Sequence, residues 1–236
     1  NVVVDATVSD SSEFNITTGS QVTFTPSNWF NGQNIVIQAI NDNIDDDNVT
    51  VQLQIAVNTS STTDTTGYAS LGAKTKNFVA IDDDTAGFTI AETSGTSVTE
   101  AGSTDTFTVV LNTEPTGNVV FGVTSSDTGE ATVSPSALTF NAGNWNSAQT
   151  VTVTGVDDSI DDDNVTSTIT VAVNTGSTAD AKYDALSSQT VTATTVDDDI
   201  TRTVTMSRSP TSVTEGDSGT QTVTITATIS ATSTQA

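Results

Sequence analysis

Neither cysteine nor histidine occurs anywhere in this chain of 236 residues. The first absence removes disulfides, thiolate zinc sites and cysteine nucleophiles. The second removes histidine-ligated haem and Ser-His-Asp catalysis. Basic residues are almost as scarce: 5 Lys+Arg stand against 29 Asp+Glu, a formal net charge of −24. With no basic patch to neutralise phosphates, nucleic acid and anionic membrane surfaces are excluded as partners. No apolar run approaches the ~18 residues of a membrane span, so direct membrane insertion is not expected. No signal peptide is visible, and Asn1-Val2-Val3-Val4 reads as the middle of a strand, so the natural N-terminus is expected upstream.

What is present is Thr, Val, Asp and Gly. Thr and Val favour strands, whereas Asp and Gly favour turns. Apolar residues alternate at period 2. Phe107, Val109 and Leu111 share one face of a strand, Val151 and Val153 alternate with Thr150, Thr152 and Thr154, and Ile169, Val171 and Val173 alternate with Thr168, Thr170 and Ala172. Segments near 88–92, 118–124, 137–140 and 188–196 bring the strands there to about seven. No stretch carries a helical stripe. Strands with one polar and one apolar face require two packed antiparallel sheets, so the expected fold is all-β, an immunoglobulin-like Greek-key β-sandwich.

The sequence also repeats itself. Asn28-Trp29 returns at Asn144-Trp145, and Ile44-Asp45-Asp46-Asp47-Asn48-Val49-Thr50 returns at Ile160-Asp161-Asp162-Asp163-Asn164-Val165-Thr166, both 116 residues on. Asp82-Asp83-Asp84 returns at Asp197-Asp198-Asp199, and Ser97-Val98-Thr99-Glu100 at Ser212-Val213-Thr214-Glu215, both 115 residues on. A period of about 115 residues is domain-sized and too long for a solenoid unit. The expected organisation is tandem modules joined end to end. Residues 85–199 form a complete one, residues 1–84 one lacking its opening strands, and residues 200–236 the opening strands of a further one. The join at Ile81 to Gly87 holds no Pro-rich or Gly/Ser-rich linker, which limits the freedom between neighbours.

Acidic residues are concentrated. Fifteen of the 29 Asp+Glu fall in segments 42–47, 82–84, 157–163 and 197–199, which together hold 19 residues. They are Asp42, Asp45, Asp46, Asp47, Asp82, Asp83 and Asp84 in the first repeat, and Asp157, Asp158, Asp161, Asp162, Asp163, Asp197, Asp198 and Asp199 in the second. In a sandwich of this topology these loops share one pole with Glu100 (and its repeat Glu215) and with Asp127 and Glu130, whose counterparts are Asp10 and Glu13. Crowded carboxylates repel one another and raise each other's pKa. Calcium, which takes 6–8 oxygens at ~2.3–2.6 Å, relieves that repulsion and is the expected cofactor. The alternative is a solvated acidic loop. An EF-hand is excluded, because a 12-residue loop begun at Asp157 puts Asp162 at its sixth position and Thr168 at its twelfth.

Several of these motifs together resemble the Calx-beta family of large bacterial surface proteins. They are Val98-Thr99-Glu100, Leu138-Thr139-Phe140, Asn144-Trp145-Asn146 with Gln149-Thr150-Val151-Thr152-Val153, then Val156-Asp157-Asp158, Tyr183 and Asp197-Asp198-Asp199. The resemblance covers residues 85–199. It implies a calcium-binding Greek-key sandwich with ligands at Glu100, Asp157, Asp158 and Asp197 to Asp199. One departure is Asp161-Asp162-Asp163-Asn164, where the family often has a Glu-rich segment.

Trp29 and Trp145 are expected to plug the sandwich end, and Tyr68 and Tyr183 to be corner tyrosines with hydrogen-bonded hydroxyls. Asn15, Asn48, Asn58 and Asn164 stand in N-glycosylation sequons. The functional expectation is a structural or adhesive module array of an extracellular, cell-surface fibre, with no catalysis. Its partners are copies of itself or neighbouring modules head to tail, and then cell-surface glycans. The alternative is a carbohydrate-binding module or a spacer within a larger secreted enzyme. Aromatics at 5% argue against the exposed row a sugar binder needs.

Overall fold

The computed structural model describes residues 1–64, 67–93, 95–214, 216, 219–220 and 222–230. Among the described residues the chain is all-β apart from one four-residue helix, and no helix there is long and apolar enough to cross a membrane. The early strands are β1 (Val2–Val8), β2 (Phe14–Thr18), β3 (Gln21–Phe24), β4 (Val36–Ala39), β5 (Val49–Val57) and β6 (Lys74–Ala80). They form one sheet in the order β3-β1-β5-β6 and a second, two-stranded sheet β2-β4.

The next strands are β7 (Phe88–Glu92), β8 (Thr96–Thr99), β9 (Thr104–Leu111), β10 (Val119–Ser125), β11 (Ala131–Ser134), β12 (Ala137–Phe140), β13 (Gln149–Gly155), β14 (Val165–Val173) and, after helix α1 (Ala181–Asp184), β15 (Gln189–Val196). One sheet runs β12-β10-β14-β15-β8 and the other β11-β13-β9-β7. The alternation seen in the sequence is realised: in β13 and β14 every second side chain is buried. Val119, Phe121 and Ile169 from one sheet and Val109, Val151 and Val153 from the other enclose a single core, which is the packing of a sandwich. Phe121 sits at its centre, with ring centroids 4.6 Å from Phe88 and 6.1 Å from Phe140.

Two strands escape the sequence reading. β11 is short. β8 is paired in parallel with β15, from Ala193↔Thr96 to Val196↔Thr99, in an otherwise antiparallel sandwich.

Strand order β3-β1-β5-β6 matches β12-β10-β14-β15, and β2-β4 matches β11-β13. The early strands have no counterparts of β7, β8 and β9, and their core shows it. The cluster of buried residues there is Phe14, Val51 and Ala80, against eighteen in the later one. Trp145 packs on the later core, but Trp29 is 67% exposed. Tyr183 is 1% exposed, its hydroxyl donating to Thr113 O at 2.7 Å, whereas Tyr68 is 49% exposed. Trp29 and Tyr68 therefore depart from the expected buried roles, because no strand covers them. Finally, β16 (Val204–Ser209) and β17 (Thr224–Ile229) pair only with each other.

Candidate metal centre

The parallel pairing of β8 with β15 positions the key carboxylate. It carries Glu100, whose N–H donates to Val196 O at 3.1 Å, alongside the point where β15 runs into Asp197-Asp198-Asp199. Gly155 permits the approach: a Cβ there would lie 2.1 Å from Thr99 O. Glu130, just before β11, is held beside them through its carbonyl, which accepts from Val156 N at 2.8 Å and from the Thr195 hydroxyl at 3.2 Å.

Two overlapping groups result, each with carboxylate oxygens within 4.8 Å of one another: Glu100, Glu130 and Asp162, and Glu100, Asp158 and Asp199. Glu100 is 1% exposed and Glu130 7%. Their Oε2 atoms, and Oδ2 of Asp199, are buried without a hydrogen-bond partner. Unpaired buried carboxylate oxygens are costly when charged. Burial first, then the charges of Asp197 and Asp158, pushes the Glu100 carboxyl above its ordinary pKa. Burial followed by Asp162 and Asp127 does the same to Glu130, and burial followed by Asp197 and Asp198 to Asp199. Hard oxygen donors that share one member, repel one another and leave one buried oxygen each of Glu100, Glu130 and Asp199 unpartnered could hold a hard cation such as Ca²⁺.

Asp158 converges with Glu100 and Asp199 and also binds backbone, and the remaining predicted ligands bind backbone or a hydroxyl, or lie in solvent. Asp197 ties the loops: its Oδ2 accepts from Asp163 N at 3.1 Å and its Oδ1 from Asp199 N at 2.8 Å. Asp158 Oδ1 accepts from Ile160 N, and Asp127 Oδ1 from Gly129 N. Asp161 accepts from the Thr201 hydroxyl. Asp157, Asp163 and Asp198 are exposed, with Asp163 at φ 63°.

The same scaffold recurs in the first repeat. Asp82 Oδ2 accepts from Asp46 N and Asp47 N, Asp82 Oδ1 from Asp84 N, and Asp42 Oδ1 from Ile44 N, with Asp47 at φ 65°. Glu13, Asp42, Asp46, Asp82, Asp83 and Asp84 line a cavity of about 50 Å³. Burial, then Asp46 and Asp42, raises the Glu13 pKa. Among the described residues, however, no acid of this repeat joins a converging group of three. Asp45 and Asp47 instead hold Lys182, at 2.8 and 2.6 Å. Asp45 also accepts from Ala86 N at 2.8 Å. Glu215 lies outside the described residues.

Sequence reasoning missed the loop-clasping asparagines. Asn48 Oδ1 accepts from Asp82 N and Asn164 Oδ1 from Asp197 N. Their recurrence was visible, but the motif read equally as a sequon. Lys182, one of only 5 basic residues, was a second available signal.

No protein-family model and no curated protein matches the chain. Among solved structures, surface layer protein SbsC domains 4–9 is similar at 18% identity and TM-score 0.39, over 92% of this chain and 35% of that one. SSP-19, an MSP-domain protein like family member in Caenorhabditis elegans, gives 18% identity and TM-score 0.30, over 44% of this chain and 92% of that one. The E. coli chaperone DraB gives 10% and 0.34, over 50% and 58%. Likenesses this distant carry no argument about what the chain does.

Proposed function

We propose that this chain is a run of calcium-binding β-sandwich modules of Calx-beta type, with a period of about 115 residues, serving as a structural or adhesive part of an extracellular surface fibre. Residues 85–199 make the complete module. The observation that carries the reading is Glu100: a carboxylate 1% exposed, with an unpartnered oxygen, shared by two converging acidic groups. Glu100, Glu130, Asp158, Asp162 and Asp199 are the side chains that would hold the ion, and Asp197 keeps their loops in place. Calcium bound there ties β8, the segment before β11, the loop after β13 and the end of β15 into one pole. It does so where the chain has no disulfide to do it. The ion is a staple, with no catalytic step attached to it.

The matching strand orders, and matching loop clasps at Asp82 and Asp197, support the repeated-module reading. A glycan-binding reading would rest on exposed Trp29 and Phe30, edge to face at 5.9 Å. One pair without a row is weak support, since the counterpart Trp145 is packed on the core.

A ligand bound only by the folded state stabilises it by about 2.7 kcal/mol at a hundredfold excess over Kd. For a chain of this size that raises Tm by on the order of 5–10 °C. The test compares melting in chelator with melting in millimolar calcium. Coincident curves would end the calcium reading.

A further inference from the structure

We propose that Asn31 is a modification site: in the folded chain, and without an enzyme, its side-chain amide is lost through a ring formed with the backbone nitrogen of Gly32. The reaction needs no metal and is independent of the calcium reading above.

Asn31-Gly32 is the chain's single Asn-Gly pair. It lies in the irregular stretch between β3 and β4, directly after the turn at 26–30. Intramolecular attack on a side-chain amide needs a backbone nitrogen free of other bonds, a side chain free to swing onto it, and a following residue that does not obstruct the approach. All three conditions are met. Neither the Gly32 N–H nor the Asn31 side-chain amide makes a hydrogen bond among the described residues. A Cβ on Gly32 would meet nothing within 4 Å, so this peptide stands in open space. Glycine also leaves φ and ψ wide. Asn31 is steadied from its other side, its N–H donating to Asn28 O at 2.9 Å. Its exposure belongs to the turn itself, because Ser147, the matching residue of the complete module, is exposed as well.

Other asparagines show what protection looks like. Oδ1 of Asn28, Asn48, Asn58, Asn144 and Asn164 each accepts from a backbone N–H. Asn146 is exposed and followed by a small residue, but there the attacking nitrogen is occupied: Ser147 N donates to Asn144 O at 3.0 Å.

The reaction balances with water as the only co-reactant. Gly32 N loses its proton and bonds to Asn31 Cγ. The Cγ–Nδ2 bond breaks, and ammonia leaves with that proton. Water then opens the cyclic imide at either carbonyl, giving aspartate or isoaspartate at position 31. Either product adds one negative charge to a chain already at −24. Isoaspartate also routes the main chain through the former side chain, which inserts a methylene ahead of β4. The extra length falls next to the β2–β4 pairing, whose register already shifts between Ile16 and Thr18. Because the product accumulates with time, the site acts as a clock on the age of the chain.

The test incubates the full chain at neutral pH, folded and in guanidinium chloride, and follows positions 31 and 146 by peptide mass mapping. Replacement of the amide NH2 by OH appears as a fixed mass gain, and isoaspartate as a separately eluting peptide of the same mass. In the folded chain position 31 should convert first, with isoaspartate among the products, at close to its rate in denaturant. Position 146 should stay intact while the chain is folded and convert once it is unfolded, when Ser147 N is released. Gly32→Ala, which the open space accommodates, should lose most of the conversion at position 31 with an unchanged circular dichroism spectrum. A folded chain that leaves position 31 intact while the unfolded chain converts it overturns the proposal. So does a Gly32→Ala variant that converts as fast as wild type, and so does equal conversion at both positions in the folded chain.

Discussion

Glu100 is the residue on which the pole turns. A carboxylate that is buried, unpartnered at one oxygen and surrounded by other acids opposes folding when charged. Glu100→Gln keeps the shape and removes the charge. Without calcium it should melt at the same temperature as wild type or higher, while losing most of the calcium-dependent rise. A variant whose calcium shift equals that of wild type would show that Glu100 is not a ligand. The shifted acids also set a pH dependence for the calcium-free protein. Glu100, Glu130 and Asp199 hold protons in the native state that the unfolded chain releases, because their native pKa values are raised. Where the native state binds more protons, stability falls as pH rises. In chelator, their contribution should be full below about pH 4, where the unfolded carboxylates are protonated, and should be lost through the raised native values. Calcium should reverse the trend near neutrality. A calcium-free Tm that climbs steadily from pH 4 to pH 7 would contradict this.

At the scale of elements, β8 delivers Glu100 and Gly155 lets β8 in. Gly155→Ala sets a Cβ against Thr99 O, which is backbone and cannot rotate away. The expected cost is about 1–3 kcal/mol, typical of overpacking, and about 2–4 °C of Tm per kcal/mol at this size. Calcium affinity should fall with it, because Glu100 follows directly. Ala39→Gly, at the equivalent early position, should leave calcium affinity unchanged, since no strand crosses there. Thermal melts and calcium titrations of both variants check the pair. The long strands were legible because Val and Thr alternate cleanly in β13 and β14. β8 was not, since Thr96–Thr99 is four residues and its parallel pairing leaves no local turn signal. The acids at the pole were legible as a cluster. Which of them converge was not, because that depends on close backbone approach at Gly155 and on Asp197 being used as a clasp. Trp29 and Tyr68 were misread for a related reason: their repeat partners are buried by strands β7 and β9, and local sequence does not say whether such a cover is present.

Across the whole molecule, the early and the later strands meet at an ion pair. Lys182 reaches Asp45 and Asp47 of the early repeat, and hydrogen bonds to both hold its ammonium pKa above the ordinary value. Glu114 N donates to Asn43 O at 2.7 Å across the same junction, and Ala86 N to Asp45. Lys182→Ala should lower Tm only slightly, since Asp47 is exposed and solvent still reaches the half-buried Lys182 and Asp45, but loosen the junction. Small-angle scattering should then report a broader distance distribution than wild type, and an identical profile would remove Lys182 from that role.

The calcium claim is tested most directly by isothermal titration of the calcium-stripped full chain with calcium, alongside the Glu100→Gln variant. Saturable binding that the variant loses or greatly weakens is the predicted result. Absence of saturable heat in the wild-type chain, together with calcium-independent melting, would contradict the account.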